Sequence, residues 1–95
     1  MIQRHVTFSV LPEKVADFEK LFVEQYRPAM ASMKGFCALE LLRRADQPLE
    51  YQMVITFESA ETAAAWRDSS EHEQLKPRLK ALYSGSTLEV FDVIA

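Results

Sequence analysis

The side chains best suited to chemistry lie in the segment AAAWRDSSEHEQL, residues 63–75. It contains Trp66, the only tryptophan of the 95-residue chain, and His72, one of its two histidines. Neutral imidazole accepts protons near neutral pH, and an indole ring presents a large apolar surface. The spacing therefore suggests a general base beside the wall of an apolar pocket.

Two local features bear on this hypothesis. His72 falls at the start of a predicted helix, where the positive end of the helix dipole favours the neutral imidazole. Ala60, Ala63 and Ala64 give Trp66 small neighbours, which leaves room between the helix and a sheet. The residues alone leave alternatives open, because Trp66 can simply fill the core and His72 can be a solvated histidine in a helix cap.

Several other chemistries lack the residues they need. Two distant histidines without an HExxH motif, and the single cysteine Cys37, argue against a zinc site. The only glycines, Gly35 and Gly85, cannot form a phosphate-binding loop, and no GxSxG elbow is present. We predict neither a metal nor an organic cofactor.

The composition is that of a folded globular domain. Residues are 48% hydrophobic and 26% charged, so we expect one domain over residues 1–95. A net charge of −3 gives no general attraction to nucleic acid or to an anionic membrane. No apolar stretch approaches membrane-spanning length, the N-terminus is too polar for a signal peptide, and one cysteine fits a reducing compartment. These observations predict a cytoplasmic protein.

The periodicity of apolar residues predicts the order of elements. Residues 2–10 alternate as a strand does, whereas residues 12–33 follow helical spacing with an interruption at Pro28. Next come strands 36–44 and 50–58, a helix capped by Ser59 that ends near residue 68, a helix opened by a capping box at residues 70–73, and strand 87–95. This order is the ferredoxin-like β-α-β-β-α-β plan of an α+β protein. It implies an antiparallel four-stranded sheet with both helices on one face.

The face of the sheet turned away from the helices should be polar if it meets water. Yet the second predicted strand carries apolar residues on both sides, with Ala38 and Leu42 on one and Leu39 and Leu41 on the other. Large exposed apolar patches are uncommon on monomers. We therefore predict a homodimer joined through its sheet faces, which would form a dimeric α+β barrel.

Three segments carry a family resemblance: LPEKVADFEKLF after the first strand, MKGF before the second, and TFESAETAAAW from the third strand into a helix. Their order and spacing resemble the antibiotic biosynthesis monooxygenase (ABM) superfamily of dimeric α+β barrels over nearly the whole chain. The resemblance implies one of two activities. Some members are cofactor-independent monooxygenases of quinol-like or polyketide aromatics, and others degrade haem.

The haem-degrading branch can be tested residue by residue. Its members use an Asn on the first strand, the helix Trp, and a His ten residues beyond that Trp. Trp66 matches, but Val6 stands at the position of the Asn and Lys76 at that of the His. The resemblance therefore disfavours haem degradation.

The resemblance supports a ligand pocket walled by Trp66. Together with the helix-start position of His72, it makes His72 and Trp66 the candidate catalytic residues. The candidate ligand-binding residues are apolar or aromatic side chains on the first and third strands and the first helix: Val6, Phe22, Tyr26, Met30, Tyr51 and Met53. Met and aromatic residues at such spacing also commonly form a core. The other histidine, His5, is expected on the dimer side of the sheet.

Two functions remain open at this point. The first is a cofactor-independent monooxygenase that oxidises a small electron-rich aromatic, such as a quinol or an anthrone, with O2. The second is a non-catalytic dimeric barrel that binds a small aromatic molecule, since a fold alone does not determine a function.

Overall fold

A four-stranded antiparallel sheet forms one layer of the protein. The computed structural model describes all of residues 1–95. The strands are β1 (Ile2–Val10), β2 (Phe36–Arg43), β3 (Glu50–Phe57) and β4 (Tyr83–Asp92). Their order across the sheet is β2-β3-β1-β4. This order and the antiparallel pairing confirm the predicted ferredoxin-like α+β fold.

The helices lie in the two connections that cross between non-neighbouring strands. They are α1 (Val15–Leu21) and α2 (Arg27–Ala31) in the first crossing, and α3 (Ala60–Arg67) and α4 (Ser70–Lys80) in the second. A core of 16 buried hydrophobic residues lies between these helices and the sheet. None of the helices combines the length and apolar character needed to cross a lipid bilayer.

A π-helical turn, Phe22–Tyr26, joins α1 to α2. The Arg27 N–H donates to the carbonyl of Phe22, five residues earlier. Pro28 follows at once, and proline has no N–H to continue the regular ladder and clashes with the carbonyl four residues before it. The predicted interruption at Pro28 therefore takes the form of a widened turn just before it. This turn carries Tyr26, and π-turns of this kind are frequent at functional sites.

Gly35 ends this first crossing in the left-handed conformation, with φ of 82°. A Cβ at this position would lie 2.5 Å from Cγ2 of Thr62. Only glycine therefore combines the backbone angle with the close approach to the start of α3.

Both helices of the second crossing are capped by serine. Ser59 caps α3 as predicted: its Oγ accepts from the Thr62 N–H, and Oγ1 of Thr62 accepts from the Ser59 N–H, each at 3.2 Å. For α4 the predicted capping box at residues 70–73 is wrong. Ser69 is the cap, since its Oγ accepts from the His72 N–H at 3.2 Å. The capping-box spacing selected Ser70, because Glu73 lies three residues beyond it, yet the adjacent serine is the cap. His72 stays in the first turn.

The two faces of the sheet differ in what covers them. On β1, Phe8 and Val10 are buried beneath the helices, while His5 lies on the opposite, open face beside Phe91 of β4. On β2, Leu39 and Leu41 share one side, as predicted, and it is the side that faces the helices. Leu39 is 5% exposed and belongs to the core, and Leu41, opposite Met53 in the sheet, packs against it.

The last strand begins earlier than the sequence predicts. The predicted strand covers residues 87–95, yet β4 starts at Tyr83, which pairs with Val10. The register shifts between Ser9 and Val10, so the pairing passes through an irregularity before it continues. Glycine and serine disfavour strands locally, and pairing with the neighbouring strand outweighs that preference here.

Candidate functional site

A cavity of about 160 Å³ lies between the sheet and the two crossings. Thirteen residues line it: Arg4, Val6, Phe8, Tyr26, Met30, Met53, Ile55, Trp66, His72, Lys76, Leu79, Tyr83 and Leu88. The strands β1 and β3 form its floor, the π-helical turn and α2 supply Tyr26 and Met30, and α3 and α4 supply Trp66 and His72. The combination of an apolar lining with a few convergent polar groups is typical of a small-molecule site.

Six of the eight residues predicted for the site surround this cavity: Val6, Tyr26, Met30, Met53, Trp66 and His72. Phe22 and Tyr51 do not. Phe22 is fully buried one π-turn before Tyr26, with the Arg27 guanidinium 5.3 Å from its ring centroid. The Tyr51 hydroxyl donates to the Glu19 carboxylate, which holds its side chain toward α1 instead of the cavity.

Trp66 is 2% exposed, and it is also part of the cavity wall. Its ring centroid lies 6.2 Å from that of Tyr26 and 5.3 Å from that of His72, and both pairs are edge-to-face. Aromatic pairs favour such geometry over flat stacking. The two alternatives for Trp66 are therefore compatible, because one face of a core ring borders an open space.

His72 is half-buried, and its Nδ1 is buried without a hydrogen-bond partner. Burial is the main cause that lowers the pKa of His72 below 6.5, and the charges of Lys76 and Arg4 act in the same direction. The backbone carbonyl of Arg67 and the carboxylate of Glu73 oppose them. The net direction favours neutral imidazole at neutral pH, the form that can accept a proton. The ring is thus partly shielded from water at the first turn of α4.

Tyr26 supplies a second polar group to the cavity. Burial, reinforced by Tyr83, raises the pKa of the Tyr26 hydroxyl, and Arg78 opposes this. The hydroxyl therefore stays protonated over the physiological range and is available as a hydrogen-bond donor. A donor and a base thus border the same apolar space.

Arg4 and Lys76 also line the cavity and were not among the predicted site residues. The signals were present. Arg4 shares the parity of Val6 on β1, so the alternation that places Val6 under the helices places Arg4 there too. Lys76 follows His72 by four residues, one turn along the same side of α4.

A second space, of about 280 Å³, adjoins the first beneath the small side chains of α3. Ala60, Ala63 and Ala64 line it, in agreement with the prediction that these alanines leave room between helix and sheet. Arg4 and Leu88 line both spaces, so they stand at the boundary between them. Elsewhere in the chain, no group of three or more His, Cys, Asp and Glu side chains is placed to hold a metal ion.

The sequence matches the family described as antibiotic biosynthesis monooxygenase over residues 1–78. The match covers most of the chain, and the protein belongs to this family. The resemblance noted in the sequence is thereby confirmed. No curated protein matches the chain in a sequence search.

Solved structures agree with this assignment at the level of the fold. A candidate antibiotic biosynthesis monooxygenase from Deinococcus radiodurans superposes with a TM-score of 0.90 at 17% identity, covering 100% of this chain and 94% of that one. A variant of SnoaB, a cofactor-independent oxygenase from Streptomyces nogalater, gives 0.87 at 21%, covering 97% and 91%. A further candidate from Bordetella bronchiseptica gives 0.85 at 22%, covering 99% and 97%. At these identities the likeness establishes a shared architecture and leaves the activity to be argued from the site.

Proposed function

We propose that the protein is a cofactor-independent monooxygenase that oxidises a small electron-rich aromatic with O2. The observation that carries the proposal is the half-buried His72 beside the Trp66 ring on an apolar cavity, where burial lowers the pKa of the imidazole. A base of this kind, beside an apolar surface, suits the removal of a proton from a bound phenol or activated CH group.

The reaction needs no bound cofactor, because the substrate itself supplies the electrons. His72 takes a proton from the aromatic, and the resulting anion transfers one electron to O2, giving a substrate radical and superoxide. These combine at a carbon that bears hydrogen, and protonation of the product gives a hydroperoxide. Loss of that carbon's remaining proton and cleavage of the O–O bond then yield a carbonyl and water. One substrate molecule thus gains one oxygen atom from O2 and loses two hydrogen atoms, which leave with the second oxygen atom as H2O.

The other side chains of the cavity would orient the substrate and stabilise the anion. The Trp66 face offers an aromatic surface against which a substrate ring can pack, with Met30 and Met53 around it. The protonated Tyr26 hydroxyl can donate a hydrogen bond to a phenolate oxygen. In a space of low dielectric constant, such a donor stabilises developing charge more than it would in water.

Oxygen uptake with 1,4-dihydroxynaphthalene tests the proposal. We expect uptake above a protein-free control, without added metal or flavin, and one atom of ¹⁸O from ¹⁸O2 in the quinone product. Release of the second oxygen atom as water distinguishes monooxygenation from simple oxidation, which would give hydrogen peroxide. Binding of the aromatic without protein-dependent uptake would instead support a non-catalytic barrel that binds a small aromatic ligand.

We also propose that the protein is a homodimer joined through the open face of the sheet. No helix covers this face, and β4 is an edge strand paired only with β1. Phe91 on β4 and Leu42 on β2 are large exposed apolar side chains of this face. Leu88 and Val90 are also exposed, but they lie on the side of the helices. Covering ~500 Å² of apolar surface would contribute on the order of ten kcal/mol before the costs of association. A second copy of the chain is the occupant that matches a self-complementary sheet face.

Sedimentation equilibrium at micromolar concentration should give twice the chain mass. Phe91→Asp, on the open face and 43% exposed, should shift the protein toward the monomer. Val23→Asp makes the same change at a 58% exposed site on the helical layer and should leave the dimer intact. Leu39 is unsuitable for this test, because a charge at a core position would unfold the chain. A folded wild-type monomer at this concentration would refute the proposal.

A further inference from the structure

The charged side chains around the candidate pocket are all positive. The charged side chains that line the cavity are Arg4 and Lys76, and no aspartate or glutamate lines it. The chain as a whole carries a net charge of −3, so this is a local concentration of positive charge against the overall balance. A pocket of this polarity favours an anionic ligand.

Arg4 is the charged residue of this pocket that is partly buried and has no ion-pair partner. The ion pairs of the structure use Arg43, Arg44 and Arg67, and Arg4 takes part in none of them. Burial and the neighbouring Arg67 charge both lower the pKa of Arg4, which shows that its charge is held under unfavourable conditions. Partly buried charges are normally paired, and guanidinium matches a carboxylate through two parallel hydrogen bonds.

The size of the space limits the aromatic part of the ligand. The cavity beside Trp66 has a volume of about 160 Å³. An apolar cavity of about 150 Å³ holds one benzene ring. The second space, of about 280 Å³, begins at Arg4 and Leu88 and can take a substituent or part of a second ring. One or two rings therefore fit, with the ligand crossing the boundary at which Arg4 stands.

From this arrangement we infer that the pocket binds a one- or two-ring aromatic acid, whose ring lies against Trp66 and whose carboxylate pairs with Arg4. Lys76 adds a second positive charge at the same cavity. The inference rests on the proposed function in using the same cavity as the substrate site, and it names the class of substrate. It narrows the quinol or anthrone type to smaller, anionic members, and it assigns Arg4 as the residue that determines specificity.

Binding of two matched ligands tests this assignment without any oxygen chemistry. The probes are 2-naphthoate and its neutral counterpart 2-naphthamide, titrated into the ¹⁵N-labelled protein. Because Trp66 is the only tryptophan, its single indole N–H signal reports occupation of the cavity. We expect both ligands to shift this signal, naphthoate to bind at least tenfold more tightly, and its affinity to fall as salt is raised.

Substitutions test whether Arg4 is the source of the preference for naphthoate over naphthamide. Arg4→Gln should remove the preference for naphthoate and leave naphthamide binding unchanged, while Arg4→Lys, which keeps the charge but loses the planar fork, should retain part of it. Arg44→Gln removes the same charge from an exposed residue paired with Asp46 and should have no effect. The inference would be overturned if the two ligands bound with equal affinity, if Arg4→Gln weakened the binding of both equally, or if neither ligand shifted the Trp66 signal.

The outcome is separable from that of the oxygenation experiment. Arg4-dependent binding of naphthoate without oxygen uptake from any aromatic would leave the ligand class standing and refute the monooxygenase. Oxygenation of neutral 1,4-dihydroxynaphthalene, with naphthoate excluded from the cavity, would support the monooxygenase and refute the ligand class.

Discussion

Replacing His72 with alanine should slow oxygenation by roughly 10²–10⁴-fold, the usual contribution of a positioned general base. The free energy of unfolding should change by no more than about 1 kcal/mol, because the ring is half-buried and its Nδ1 has no hydrogen bond to lose. Stopped-flow measurement of oxygenation, beside urea unfolding of the same samples, separates the two effects. Unchanged turnover in a folded His72→Ala protein would remove His72 from the mechanism.

The pH dependence gives an independent check on the same residue. Since the pKa of His72 lies below 6.5 in the folded protein, the acid decline of kcat/KM should have its midpoint below pH 6.5. The unfolded chain, with the ordinary pKa, binds the proton more readily than the folded one, so the free energy of unfolding should also decrease as the pH falls below 6.5. In His72→Ala, both the acid decline of kcat/KM and this decrease in the free energy of unfolding should be absent. The control variant His5→Gln removes the histidine on the open face and should retain the acid decline.

The sequence was sufficient for the sheet because alternation and helical spacing are local signals that the final packing obeys. Alternation on β1 places Val6 and Phe8 beneath the helices, and Ser59 caps α3 in the predicted place. The predictions failed where two adjacent residues can both serve as a helix cap, or where pairing with a neighbouring strand determines the extent of a strand. Ser69 and Ser70 both fit the cap of α4, and pairing with β1 extends β4 back to Tyr83.

The candidate site was predictable for the residues whose direction follows from one element. Trp66 and Met53 occupy positions that the helix and strand periods determine. Tyr51 shares its strand face with Met53, but a hydrogen bond to Glu19 of a distant helix directs its side chain away. Arg4 was missed for a different reason. A charge on an otherwise apolar strand face is an exception to the pattern, and such exceptions are where functional groups tend to lie.

The second large effect is expected at Trp66. Trp66→Ala should reduce the free energy of unfolding by ~3–5 kcal/mol, because it deletes a 2% exposed ring and leaves a larger cavity. It should also abolish measurable binding of a naphthalene ligand, since the ring that borders the cavity would be gone. Urea unfolding and isothermal titration calorimetry measure the two quantities. Trp66→Phe keeps an aromatic face, so it should lose less of the free energy of unfolding and less of the ligand affinity. It also provides a folded protein if the alanine variant is too unstable.

The comparison that separates a core residue from a site residue is with Leu75. Leu75 is buried in the same core but does not line the cavity, so Leu75→Ala should lower the free energy of unfolding by ~2–5 kcal/mol and leave the affinity of the folded protein unchanged. If the Trp66 variants lose stability and keep full ligand affinity, as Leu75→Ala should, then Trp66 is a core residue only. The pocket would then have to be assigned without its aromatic wall, and His72 would have no bound ring from which to take a proton.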